Sequence, residues 1–159
     1  MAYNVLKGAI RNNTLPAFSV YVNTTITDVT GDGTNYTVIY DTEVFDQDNN
    51  FNLATGIFTA PITGIYRFDF GGQIGGGTTI SGATANWFIN TSIGNYTLSS
   101  PLPGGAIRFT AYGAITISLN SGNTVFISVQ VTDTGGKIDD VLGVSAGRIL
   151  NWFSGSFVC

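Results

Sequence analysis

A two-residue hydrophobic period dominates this chain, and no helical period competes with it. Phe18-Ser19-Val20-Tyr21-Val22, Ile65-Tyr66-Arg67-Phe68-Asp69-Phe70, Ile107-Arg108-Phe109-Thr110-Ala111-Tyr112, Ile115-Thr116-Ile117-Ser118-Leu119 and Val125-Phe126-Ile127-Ser128-Val129-Gln130-Val131 mostly alternate β-branched or aromatic residues with polar or small ones. That is the pattern of half-buried strands. Between them stand Thr30-Gly31-Asp32-Gly33, Asp48-Asn49-Asn50, Pro101-Leu102-Pro103-Gly104-Gly105, Asn120-Ser121-Gly122-Asn123 and Thr134-Gly135-Gly136. Their residues tolerate positive φ or pre-set a turn. No segment longer than a turn carries a 3.6-residue apolar stripe, and there is no heptad, collagen-like run or internal repeat. Eight to ten short strands in 159 residues predict an all-β chain of two packed antiparallel sheets, a sandwich or jelly roll. A chain of this length makes one domain by default.

Composition narrows the function. The chain has no His, one Glu (Glu43) and one Cys (Cys159). A Ser-His-Asp or Cys-His pair, a His-ligated zinc site, an internal disulfide and a Cys-rich metal site are therefore excluded. Paired-carboxylate catalysis would have to use two Asp, so a non-enzymatic protein is expected. Six Lys and Arg against ten Asp and Glu give a net charge of -4, which leaves no basic stripe for nucleic acid or an anionic membrane. No apolar run reaches the length of a membrane span, and the first residues lack the apolar stretch of a signal peptide. Only 10% of residues are charged, and 21 Thr, 14 Asn and 11 Ser stand where Lys and Glu usually meet water. The run Gly71-Gly72-Gln73-Ile74-Gly75-Gly76-Gly77 lacks the Lys-Ser/Thr ending of a phosphate loop and is expected to be a flexible loop.

One stretch goes beyond fold class. Tyr40, Asp46, Phe51, Phe58, Gly64, Tyr66, Phe68 and Phe70 recur at spacings that resemble the signature of the globular head of complement C1q, with Tyr40 where that family usually has Phe. Pro16-Ala17-Phe18-Ser19 resembles the family's first strand, and Leu119-x2-Gly122-x2-Val125-Phe126 the turn before its penultimate strand. Asn151-Trp152-Phe153-Ser154-Gly155-Ser156-Phe157 is similar to its closing strand. The chain ends at Val158-Cys159, where the family usually runs on to an aromatic-Pro-Asp ending. The division expected is a lead-in over 1-15 and a C1q-like head over 16-159.

The resemblance implies a ten-stranded antiparallel jelly roll, shared with the tumour necrosis factor ligands and packed as a homotrimer. It also implies a recognition or attachment head that binds a protein or glycan partner through its loops. Those loops are expected at the Asn/Thr/Gly-rich stretches around 24-37, 71-84, 92-104 and 132-147. The alternative is a purely structural trimer of a virion, capsid or spore coat. Low charge and a Thr/Asn/Gly surface point to a phage or bacterial source and to an extracellular, virion or cell-surface location. Some members of the family hold Ca²⁺. Asp28 with Asp32, Asp46 with Asp48, and Asp139 with Asp140 are the acidic clusters that could supply oxygens, with the adjacent Asp139 and Asp140 the preferred pair.

Alternation places Tyr66, Phe68 and Phe70 on one strand face and Arg67 and Asp69 on the other. Core packing is therefore expected for Phe58, Tyr66, Phe68, Phe153 and Phe157, with Gly64 at a tight turn or close approach. Trp87, Tyr96 and Trp152 are the aromatics that could stack on a sugar, though packing is the simpler role for each. Five Asn-x-Ser/Thr sequons, at Asn12, Asn23, Asn35, Asn90 and Asn95, reflect a composition rich in Asn and Thr.

Overall fold

The computed structural model describes residues 15–80, 84–101, 106–132 and 136–159. All of the lead-in but Leu15, the sequon at Asn12 and most of the turns at 101–105 and 134–136 lie outside the described residues. Thirteen strands follow one another: β1 (Ala17–Tyr21), β2 (Ile26–Thr30), β3 (Asp32–Thr37), β4 (Thr42–Asp46), β5 (Phe51–Asn52), β6 (Ile57–Thr59), β7 (Gly64–Ile80), β8 (Thr84–Thr91), β9 (Gly94–Pro101), β10 (Ala106–Leu119), β11 (Thr124–Thr132), β12 (Asp139–Val141) and β13 (Trp152–Phe157). Leaving aside β5, β6 and β12, which have two or three residues, ten strands of five or more remain. There is no helix among the described residues.

The larger sheet runs β2-β12-β7-β13-β1-β4, with β10 on the opposite edge of β7, and the smaller runs β5-β6-β11-β8-β9. All these pairings are antiparallel. β3 lies beside β11 and is tied to it where the Val38 N–H donates to the Ile127 carbonyl at 2.9 Å.

The core fills the space between the sheets with the residues that the motif spacing singled out. Tyr40, Phe51, Phe58, Tyr66, Phe68, Phe70 and Phe153 are all buried. The Phe18 ring stacks on Phe51 and Phe58 at 4.9 and 5.0 Å and meets the Phe153 ring edge-on at 5.0 Å. Such contacts add about 0.5–1.5 kcal/mol per pair beyond the area buried. Gly155 lets the rings close in, because a Cβ there would lie 2.6 Å from the Phe68 ring. Gly64 has the same role one strand away: a Cβ would run into the Phe157 ring and meet the Cys159 carbonyl at 2.7 Å. The half-buried Phe157 packs edge-on against Tyr66 at 5.3 Å. Asp46 caps the turn after β4, its carboxylate accepting from the Asn50 and Phe51 N–H groups at 3.1 and 2.8 Å. Asp48 and Asn49 in that turn take positive φ, 67° and 52°.

The glycine run corrects the loop expectation. Gly71 to Gly77 continue β7, which pairs with β10 in unbroken register from Gly64↔Leu119 to Gly75↔Arg108. A Cβ on Gly72 would run into the Trp87 ring, and one on Gly71 into the Trp152 ring. These glycines make room for two tryptophans and do not break the strand. The stretch at 92-104 is likewise strand over Gly94–Pro101, paired with β8 from Thr91↔Gly94 onward. Its polar residues belong to an edge strand, where Asn95, Tyr96 and Thr97 are all exposed. The stretch at 24-37 contains β2 and β3.

β7 changes neighbour along its length, pairing with β13 up to Gly71 and with β12 from Ile74. The fully buried Asn151 fills the gap between them. Its Oδ1 accepts from the Gln73 N–H at 3.0 Å, and its Nδ2 donates to the carbonyls of Gln73 and Leu142 at 2.7 Å each. Buried backbone groups need such partners.

Candidate functional site

The larger sheet covers the core with one face and turns the other to solvent. Along β7 the outward positions are Ile65, Arg67, Asp69, Gly71 and Gln73, by alternation with the buried Tyr66, Phe68, Phe70 and Ile74. Register then builds rows across the strands. Gly71 stands between Tyr112 of β10 and Trp152 of β13, with Tyr21 of β1 beyond. Asp69 stands between Ala114 and Ser154, with Ser19 and Phe45 beyond. Small residues thus form a shallow trough between aromatic rims. Tyr112 is 69% exposed and Phe45 45%. Two depressions of about 220 and 290 Å³ meet at Asp69, one reaching Phe45 and the other Tyr112 and Trp152.

One ion pair crosses the trough. Arg67 grips Asp69 with two bonds, Nε to Oδ2 at 2.9 Å and Nη2 to Oδ1 at 2.6 Å. The hydrogen bond to Asp69, and then its charge, raise the Arg67 pKa. Exposed to water such a pair contributes little. With its charges matched inside the chain, it can be covered without stranding either one.

At the Asp41 turn between β3 and β4, the carboxylate accepts from the N–H groups of Asn23 and Thr24 at 2.6 and 3.0 Å and from the Thr42 hydroxyl at 3.0 Å. Partial burial pushes the Asp41 pKa up, but the bonds from Asn23, Thr24 and Thr42 outweigh it and the net shift is downward. A depressed carboxyl contributes stability above its unfolded value, near 4, and loses it as pH falls through the folded value. Asp41→Ala is therefore expected to melt below wild type at neutral pH, with the gap closing as pH falls below the ordinary carboxylate value through the lowered folded one. Thermal melts across that range check it, and a gap independent of pH would contradict it.

Asp139 and Asp140 come together in sequence but not in space. They lie in the strand β12 and not in a loop, so their side chains leave opposite faces. Asp139 is fully buried, while the Asp140 carboxylate accepts from the Asp28 N–H at 2.9 Å. The pair does not fit one cation held between two neighbouring carboxylates. No group of three or more acidic or thiol side chains that could hold a metal occurs among the described residues. Of the sugar-stacking candidates, Trp87 is fully buried and unavailable, Trp152 is half-buried in the trough and Tyr96 is exposed on the edge strand. Asn90 is buried and donates to Ser128 at 2.8 Å, so that sequon is closed to a glycan in the folded chain.

Two facing antiparallel sheets with this strand order, closed by a terminal strand between β1 and β7, define a jelly roll of the C1q and tumour necrosis factor type. Residues 17–155 match the C1q domain, and the chain belongs to that family. The globular domain of zebrafish complement 1qA is similar over 91% of this chain and 98% of its own, with 21% identity and a TM-score of 0.62. Murine APRIL is similar over 90% and 98%, with 12% identity and a TM-score of 0.59. Eiger, a tumour necrosis factor of S. frugiperda, is similar over 91% and 93%, with 11% identity and a TM-score of 0.58. None of the curated proteins matches the chain. Domains of this family are trimeric ligand-binding heads, typically outside the cell. No helix among the described residues is long and apolar enough to cross a membrane.

Proposed function

We propose that this chain is a non-enzymatic recognition or attachment head that works as a homotrimer. Its partner is a protein or glycan on a surface, and its place is the tip of a phage fibre or a bacterial surface protein. The observation that carries the reading is the outward face of the larger sheet: a trough of small residues rimmed by Tyr112, Trp152 and Phe45, beside a self-paired Arg67–Asp69. An exposed aromatic face is a usual mark of an interaction surface. In a three-fold assembly it is the surface against which neighbouring copies pack. The absence of His and the single Glu support a role without catalysis, and the low charge supports a phage or bacterial setting.

Three linked heads bind a surface far more tightly than one, by about 10²–10⁴ when geometry allows simultaneous contact. Tyr112→Glu places a charge on the rim without touching the core, since Tyr112 is exposed. The variant is expected to keep its circular dichroism spectrum, to run as a single chain in light scattering, and to lose retention on a panel of immobilised glycans and surface proteins that holds wild type. An unchanged mass for Tyr112→Glu would contradict the interface. A wild-type trimer retained by nothing on the panel would favour a purely structural component instead.

A further inference from the structure

The end of the sandwich where β7 begins also holds the start of β1 and the close of β13, so Leu15 and Cys159 lie on one side of the head. Backbone bonds tie the turns at this end into one surface. The Phe157 N–H donates to the Pro16 carbonyl at 2.8 Å and the Val158 N–H to the Ile65 carbonyl at 2.7 Å. The Ser121 hydroxyl donates to the Pro61 carbonyl at 3.0 Å, and the Ser92 N–H to the Thr124 carbonyl at 3.0 Å. Along this series stand Leu15, Val158, Ile62 and Ile93, respectively 50%, 53%, 38% and 57% exposed. They are four of the ten large apolar residues exposed among the described residues. A single exposed aliphatic needs no explanation, but several on one linked surface mark something that docks there. The outward sheet face with Phe45 and Tyr112 is a separate surface.

The chain itself supplies a cover. Residues 1–14 join the head at Leu15, on this surface, and contain Tyr3, Val5, Leu6 and Ile10 together with Lys7, Arg11 and no acidic residue. The turns at this end, 46–50, 60–64, 91–94 and 119–124, hold two charged residues, Asp46 and Asp48, both acidic. Their turn sits beside the point of entry, where the Gln47 N–H donates to the Ala17 carbonyl at 2.9 Å. Apolar residues therefore meet apolar residues, and the lead-in's cations meet the only charges present. Fourteen extended residues reach at most about 46–50 Å. With sheets about 10 Å apart and strands about 4.8 Å apart, the surface is crossed in roughly 20 Å. The tether also holds the segment at an effective concentration of about millimolar, so contacts too weak to hold a free peptide suffice.

We infer that the lead-in folds back over this end of its own head. Val5, Leu6 and Ile10 cover the exposed aliphatics, driven by removal of apolar area from water, and Lys7 and Arg11 lie toward Asp46 and Asp48. This end is then an internal docking surface rather than a site for a partner. Neither the trimer nor the surface partner of the recognition reading enters the arrangement, so each can fail without the other.

Trypsin digestion and amide exchange of the whole protein test it. In wild type, cleavage after Lys7 and Arg11 is expected to be slow. Leu6→Asp combined with Ile10→Asp changes no residue of the described head. That variant is expected to be cut about tenfold faster or more at both sites, because cleavage follows the population of the open form. Its amides at Ile62, Thr63 and Ile93 are expected to exchange faster than in wild type, while the mass in light scattering stays the same. Ile93→Ser, at an exposed turn residue, is expected to release the lead-in to trypsin in the same way. Carbodiimide coupling is expected to join Lys7 to Asp46 or Asp48 within one chain. Equal cleavage rates in wild type and both variants, or unchanged exchange at the three amides, would overturn the proposal. A coupled product of twice the chain's mass would give the segment to a neighbouring copy and overturn its assignment to its own head.

Discussion

Replacing Phe68 with Ala is expected to cost about 3–5 kcal/mol of stability, the range for removing a fully buried phenylalanine that neighbours cannot collapse to replace. Phe68 is fully buried. Its ring lies 5.4 Å from Phe58, 6.0 Å from Phe153, 6.1 Å from Tyr66 and 6.3 Å from Phe18. These neighbours come from β6, β13, β7 and β1, which belong to both sheets, so the ring joins the two layers. Interior packing is dense and side chains sit in defined rotamers, which limits how far four aromatics can move into the space. A loss of several kcal/mol takes much of the 5–15 kcal/mol that a domain usually holds. Urea unfolding monitored by tryptophan fluorescence gives the value. A midpoint within error of wild type would mean that Phe68 does not join the sheets.

Asn151→Leu is expected to cost as much by a different route. The change keeps the volume close to the original and removes three hydrogen bonds where β7 passes from one partner to another. The Gln73 carbonyl retains the Leu142 N–H at 3.2 Å, but the Gln73 N–H and the Leu142 carbonyl lose the partner that Asn151 supplies. Each buried, unsatisfied group costs about 1–3 kcal/mol. The damage is expected to be local first, with faster amide exchange at Gln73 and Leu142 than across the β7–β10 ladder. A variant as stable as wild type, with the Gln73 amide equally protected, would show that the junction does not need the side chain.

The two substitutions differ in how readily a sequence betrays them. Phe68 alternates with Arg67 and Asp69, so its burial follows from strand geometry alone, and Tyr66, Phe70, Phe58 and Phe153 were legible in the same way. Asn151 carries no such signal: a lone Asn before a strand reads as a cap or turn residue, and its role depends on a neighbour change 78 residues away in β7. The glycine run misled for a related reason. Gly71 and Gly72 look like punctuation in sequence, while in three dimensions they are the space under Trp152 and Trp87. β9 was missed because its Asn, Thr and Ser residues make Gly94–Pro101 look like a loop, although Tyr96 and Leu98 alternate with them. Asp139 and Asp140 read as a loop pair with shared charge, but they are neighbours in the strand β12, whose alternation sends their side chains to opposite faces. The outward trough was out of reach altogether, since it is assembled by register among β7, β10 and β13.

The central claim is that this domain acts through three-fold assembly, and its mass in solution tests that most directly. Light scattering coupled to size-exclusion chromatography at micromolar concentration is expected to give about three times the 16.8 kDa of one chain, unchanged on moderate dilution. Subunits joined by a large apolar interface do not separate easily. A single species near 17 kDa would contradict the account and would leave the exposed aromatic face without the partner assigned to it.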